Sequence, residues 1–515
     1  MSPQPSTPAA SAAQAESAAP STATGPSAGD IRPEDEHLSP GRTIGYGVQH
    51  ILAMFGGVIA VPLIVGGAAG LDVGQKALLV ACALFVSGAA TILQTIGVPY
   101  FGSKLPLVQG ISFAAVSTML SIIGNNGEAG LQTVFGAVIV ASAIGLIIAP
   151  FFARIVRFFP SVVTGSIITV IGLSLMPVAG RWVTGSDPTA EGFASADKIG
   201  LALFTFAVVL VLSKIRALSR LAVLLGLAIG TVFALLMGQA DFDAVGSASV
   251  FAFPQPFAFG MPIFEIGAIV SMTIVILVIM VETTADVLAV GEVVGTKVNS
   301  RRVGDGLRAD MVSSLIAPVF NSFPATAFAQ NVGLVALTGI KSRFAVAAGG
   351  GLLVILGLSP MAAAVFSVIP SPVLGGAGIV LFGSVAASGV RTLSKVDYTG
   401  NNNMIIVASS LAFGLIPVVS PQFWHAFPDW FVTIFDSGIS SAAIVAVVLN
   451  LFFNVWLPGT PSTPSNLAAA PAMRVQTEEL RVLKSGGSLD EHSYEPDTAP
   501  VEHGTRARKA GPGES

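Results

Sequence analysis

Residues 370–380 read PSPVLGGAGIV, and residues 160–170 read PSVVTGSIITV. Five identities coincide at an offset of 210 residues: Pro160/Pro370, Ser161/Ser371, Val163/Val373, Gly165/Gly375 and Val170/Val380. A second echo joins LPLVQGISFAAV (105–116) to FPATAFAQNVGL (323–334), where Ser112 and Gln330 each stand six residues after a proline. Each match is short, but both divide the chain into the same two halves.

What the halves are follows from composition. Of 515 residues, 53% are hydrophobic and only 10% charged, with 56 glycines, whereas soluble domains carry about 25% charged residues. Apolar stretches such as IIVASSLAFGLIPVV (405–419) and AAIVAVVLNLFFNVWL (442–457) recur, and runs of roughly 17–25 apolar residues match the thickness of a bilayer core. The fold class is all-α polytopic membrane protein. Fourteen spans are expected, near 43–66, 75–97, 105–123, 132–152, 161–178, 199–213, 220–238, 263–290, 307–321, 324–340, 343–358, 372–390, 403–418 and 438–457. Residues 1–40 (Ser/Pro/Ala-rich, without the cationic start and apolar core of a signal peptide) and 458–515 read as disordered cytoplasmic tails. With both tails cytoplasmic, fifteen Lys and Arg residues fall on the cytoplasmic connections, against Lys76, Arg181 and Lys198 opposite, a strong positive-inside bias.

Seven spans per half is an odd number, so the halves point in opposite directions. Inverted repeats are a transporter architecture, with the site near the midplane and interrupted helices at matching positions. Here those are spans 3 and 10. A helix broken at membrane depth must face protein or a water-filled cavity, so Gln330 and Asn331 are expected to line one.

Few ionisable groups lie inside the spans. Glu282 and Asp286, in VILVIMVETTADVLAVG, sit one turn apart and share a helix face. A carboxylate at the bilayer centre costs roughly 2.5–3.5 kcal/mol even on lenient scales, and a changing proton occupancy on such a group is what a proton-coupled carrier uses. Asp310 opens span 9 beside Arg308, where a structural salt bridge competes with a functional role. His50 and Gln49, in span 1, are read either as packed interhelical partners or as site-shaping groups. The lone Cys82 excludes a disulfide framework, and no cofactor or metal site is expected; the net charge of −4 offers nothing to nucleic acid.

These residues resemble the nucleobase–ascorbate transporter (nucleobase:cation symporter) family. QNVGLVALTG (330–339) fits its signature Gln/Glu/Pro-Asn-x-Gly-x4-Thr-Arg/Lys/Gly, and QH (49–50), QGISFAA (109–115), ETTAD (282–286) and LRAD (307–310) are similar to its other motifs in order. The resemblance covers roughly 41–457. It implies two inverted seven-helix repeats arranged as a core (about 41–152 and 263–358) and a gate (about 153–262 and 359–457), with short antiparallel strands in spans 3 and 10. It further implies a homodimer in the plasma membrane that works by alternating access. Carried over by position, Glu282 and Gln330 bind the base, backbone at Phe113 and Ala329 adds contacts, the Phe113 ring stacks, and Ser112 and Phe328 complete the site. Asp286, His50, Asp310, Asn331 and Gln49 shape the site or its proton network.

A glutamine at 330 can accept and donate at once, matching the lactam edge of an oxidised purine. Together with Gly339, it resembles carriers of xanthine and uric acid. The expectation is proton-coupled uptake of xanthine and/or uric acid; the alternative is a uracil or broad nucleobase symporter. An anion carrier of the sulfate-permease type shares the helix plan but usually carries a soluble domain after the last span. A membrane enzyme finds little support: HExxH and phosphate-loop motifs are missing from the sequence, and the one GxSxG match, GPSAG at 25–29, falls in the Ser/Pro/Ala-rich tail rather than on the strand-to-helix turn a nucleophile elbow needs.

Overall fold

Two 29-residue helices set the scale of the molecule: α1 (Pro40–Ala68) and α9 (Ile266–Val294). At 1.5 Å per residue each is about 43 Å long, enough to cross a bilayer. The computed structural model describes residues 32–456 except 153–155, 186–191, 216–217, 241–245, 247–248 and 399–401, and the side chains of 157, 220, 330, 337 and 429 lie outside the described set. The expected tails therefore fall outside it, apart from residues 32–40.

Helix ends follow local chemistry. α1 begins on Pro40, whose missing N–H is no loss in a first turn. α2 (Val73–Ile96) starts with a reciprocal capping box between Asp72 and Gln75. Glu265 caps α9 by accepting from the N–H groups of Gly267 and Ala268, and α9 ends at Gly295 in the left-handed region, φ 82°.

The remaining helices in chain order are α3 (Val116–Asn126), α4 (Gly130–Ile148), α5 (Ser161–Ser174), α6 (Met176–Thr184), α7 (Ala196–Lys214), α8 (Ala222–Leu236), α10 (Ser300–Ile316), α11 (Ala329–Thr338), α12 (Arg343–Gly357), α13 (Pro360–Ser367), α14 (Ser371–Leu393), α15 (Asn402–Val419), α16 (Asp429–Phe435) and α17 (Gly438–Asn450). Among the described residues nine helices are long and apolar enough to span, or ten if α12 and α13, bent by 85°, count as one. That is fewer than fourteen because several expected spans are not single apolar helices. At 105–123 and 324–340 the chain is part strand and part short helix, while α8 is only 15 residues and α10 carries a polar sequence.

The interrupted segments meet in a two-stranded antiparallel ribbon, β1 (Gln109–Ile111) with β2 (Ala325–Ala327). Gln109 pairs with Ala327, Gly110 with Thr326 and Ile111 with Ala325. The ladder is extended by Phe328 N–H donating to the Val108 carbonyl (3.1 Å) and Ser112 N–H to the Pro324 carbonyl (2.9 Å). The offset that superimposes Pro106 on Pro324 also carries Gln109 onto Ala327, so the register is symmetric about that pair. Hydroxyls satisfy the ribbon's outer edges, as apolar surroundings demand. Thr91 of α2 accepts from the Gln109 N–H and donates to its carbonyl, and Ser314 of α10 does the same at Ala325.

Helix packing falls into matched pairs. α1 packs on α12 as α9 packs on α4, α2 on α12 as α10 on α4, and α7 on α8 as α15 on α17. α14 packs on α7 and α8 as α5 packs on α15 and α17, and α5 and α14 pack on each other.

Residues 32–39, expected in the disordered tail, are packed instead. The Arg302 guanidinium donates to the buried Glu34 carboxylate (2.6 Å) and to the Ser103 and Lys104 carbonyls. Arg343 pairs with Asp35 (2.6 Å) and donates to the carbonyls of Thr95 and Ile96. His37 stacks on Phe344. The strap fastens the ends of α2, α10 and α12 on one face, which we call the basic face.

Candidate functional site

α9 carries the two acids. Glu282 and Asp286, four residues apart, both line a cavity of about 290 Å³ between the ribbon and α5 and α14, near the lower end of the roughly 300–1,000 Å³ usual for small-molecule sites. Among the described residues neither carboxylate has a hydrogen-bond or salt-bridge partner, and no cationic side chain lines this cavity. Phe113, Ala114, Thr326, Ala327, Phe328 and Ala329 supply the ribbon side. Ile168, Ile171, Ser384, Val385, Ser388 and Thr392 supply the opposite wall.

Two short helices start at this cavity. The turn Phe113–Ala115 leads into α3, with the Ser112 hydroxyl accepting from the Ala114 N–H (3.2 Å), and α11 starts at Ala329. First-turn N–H groups give helix starts a partial positive charge, so both ends offer backbone donors to a polar ligand facing the acids.

The backbone of Phe328 is hydrogen-bonded, but its ring is placed by close approach. A Cβ at Gly110 would lie 2.3 Å from its ring and one at Gly57 2.7 Å, so only glycine leaves room at either position. Its ring centroid stands 6.4 Å from that of Phe113, which in turn meets Phe382 at 6.1 Å.

Behind the cavity is a hydrogen-bonded layer. Asp310, 1% exposed, accepts from the Thr283 hydroxyl (2.5 Å) and from Gln94 Nε2 (3.2 Å). Arg308 pairs with Asp305 and donates to the Tyr100 carbonyl instead, so Asp310 is not in a salt bridge with its neighbour: the helix turns the two side chains apart. Thr283 lies between the acids in sequence and on the other face of α9, where it also meets the Thr326 hydroxyl.

Asn331 does not line the cavity, contrary to the sequence expectation. Its Nδ2 donates to the Pro106 carbonyl (2.7 Å), leaving Oδ1 toward His50 Nδ1 at 2.6 Å. A carboxamide oxygen only accepts, so His50 carries its proton on Nδ1. The asparagine thereby ties α1 to the unwound stretch before β1. Ser112 and His50 are likewise buried behind the wall rather than in it. Gln49, half-buried, neither lines the cavity nor has a side-chain hydrogen bond among the described residues. The Gln330 side chain lies outside the described residues; its backbone is the second residue of α11.

Several contributors were not singled out from sequence: Thr283, Gln94, Thr326 and the α14 hydroxyls Ser384, Ser388 and Thr392. Thr and Ser are common and uncharged, so no sequence signal separated them; the spacing of 384, 388 and 392 on one helix face was the available clue.

A family model described as Permease family matches residues 41–423. The xanthine permease of Bacillus subtilis (strain 168) is 40% identical over 81% of this chain and 94% of its own length. The uric acid transporter UacT of Escherichia coli (strain K12) is 40% identical over 83% and 90%. The chain belongs to the xanthine and uric acid permease family. This permease is also similar to uric acid permease PucK of B. subtilis, 41% identical over 80% of the chain and 96% of that protein. Among solved structures, the transmembrane domain of a cyanobacterium bicarbonate transporter, BicA, matches with a TM-score of 0.56 at 14% identity over 80% of this chain and 99% of that one. That likeness concerns fold alone. The permease is a membrane transporter and not an enzyme.

Proposed function

We propose that this permease takes up oxidised purine bases, xanthine and/or uric acid, across the plasma membrane by proton-coupled alternating access. The observation that carries the reading is the pair of unpartnered carboxyls, Glu282 and Asp286, opening onto a cavity walled by Phe113 and Phe328 and by two helix starts. A planar heterocycle rich in adjacent N–H and C=O groups fits that chemistry: the acids take its N–H groups, the Ala329 region and Gln330 its carbonyls, and the Phe113 ring its face. Buried carboxyls that exchange protons between states would couple the cycle to a proton gradient. The names of the relatives point to the same substrates. A relative named nucleobase transporter PlUacP, from Paenibacillus larvae, 36% identical, favours a broader nucleobase range as the second reading.

The matched packing pairs and the symmetric ribbon register support two inverted repeats of seven spans. In this reading α1–α4 and α9–α12 form the core, and α5–α8 and α14–α17 the gate that it moves against. The site is built from core residues and walled by gate residues, the arrangement that alternating access requires. The basic face, with Arg302, Arg308 and Arg343, would be cytoplasmic together with both termini, and the working unit a homodimer.

Uptake of labelled xanthine and urate by cells producing the protein tests this. Uptake above background should collapse with a protonophore, and Glu282→Gln should abolish it at unchanged protein level. Full uptake by that variant, or uptake indifferent to the protonophore, overturns the mechanism.

A further inference from the structure

A second cavity, of about 170 Å³, adjoins the first. Both are lined by Ile168, Glu282, Ala285 and Thr392. From there the second runs between α5 and α14 toward the basic face, past Thr164 and Ser161 to Lys395, two residues beyond the end of α14. Among the described residues lining the two cavities, Lys395 is the one cationic side chain, and it forms no ion pair with another described residue. α5 starts at the same mouth, so the partial positive charge of its first turn adds to the ammonium.

We propose that Lys395 is a specificity-determining residue that favours anionic bases on the leg between the site and the basic face. The inference rests on the proposed substrates. Uric acid is a monoanion near neutral pH, whereas xanthine is largely neutral. An anion leaving or entering past Glu282 and Asp286 meets two acids and needs an opposing charge, which the site cavity does not contain. Lys395 stands where the path opens, far enough along α14 to draw the anion without holding it in the site. A neutral base gains little from it. The hydroxyls of Ser388 and Thr392, on the same helix face, give either base polar contacts on the way.

The test compares KM for labelled urate and labelled xanthine in proteoliposomes holding wild type, K395Q or K395R. K395Q should raise the urate KM relative to the xanthine KM by about two- to fivefold, the range of a screened charge pair, and K395R should hold the ratio near wild type. A loss of general packing would move both substrates together and would not be rescued by arginine. Should K395Q fold poorly, K395C offers the same contrast. A thiol reagent that adds an ammonium should restore the urate preference, and one that adds a sulfonate should worsen it; the native Cys82 is buried. An unchanged KM ratio in K395Q, or a wild type that carries xanthine and refuses urate, overturns the role of Lys395 while leaving the functional reading intact. A wild type that carries neither base removes both.

Discussion

At the residue scale the site separates into groups that face the cavity and groups that hold them there. Glu282 and Asp286 face it; Asp310 and Asn331 do not. Asn331 satisfies two buried partners on different elements, the His50 imidazole and the Pro106 carbonyl. Asn331→Ala leaves both without a partner, at roughly 1–3 kcal/mol for each stranded group. The variant should melt several degrees lower in detergent, and its uptake should fall even at matched protein level; a melting temperature equal to wild type would show that the bridge is unimportant. The five motifs made these residues easy to find in the sequence, but not their directions. Two adjacent carboxamides at 330–331 look alike on paper, and the start of a short helix sends neighbours about 100° apart, so Asn331 turns into the protein. Asp310 was similarly ambiguous beside Arg308 until the fold placed Thr283 and Gln94 against it.

At the element scale the ribbon is the unusual feature, two three-residue strands at membrane depth. It exists because β1 and β2 satisfy each other while Thr91 and Ser314 satisfy the outer edges. Sequence alone pointed to spans 3 and 10 as the interrupted pair, from the matching stretches after Pro106 and Pro324; three-residue strands have too little periodicity to read directly, and they entered through family resemblance. Gly110 has a second reason to be glycine, since the Phe328 ring occupies the place of a side chain. Gly110→Ala should displace that ring into the cavity and cut uptake by about tenfold or more, the added methyl having no free volume to fill. Phe328→Ala in the same background should recover part of the loss by clearing the clash. Uptake by Gly110→Ala equal to wild type would mean the ring is free to move.

At the scale of the whole molecule, composition declared a membrane protein, and the repeat matches proposed a division into halves with which the matched helix-packing pairs are consistent. Counting spans from apolar length was weaker, because the segments at 105–123 and 324–340 are part strand and short helix, and α10 is polar, so none forms a long apolar helix. The folded strap at 32–39 was also hidden: its Glu34, Asp35 and His37 look like tail residues until Arg302, Arg343 and Phe344, some 300 residues away, are brought beside them. Among the described residues the strap's ion pairs reach only elements of the ribbon-bearing set, tying α2, α10 and α12 together.

The account depends on a planar base sitting against the α9 acids. A structure of the protein with bound xanthine or urate tests this most directly. The base should lie in the 290 Å³ cavity, beside the Phe113 ring and within hydrogen-bond distance of the Glu282 carboxyl. A base lodged elsewhere, with Glu282 out of reach, would contradict it.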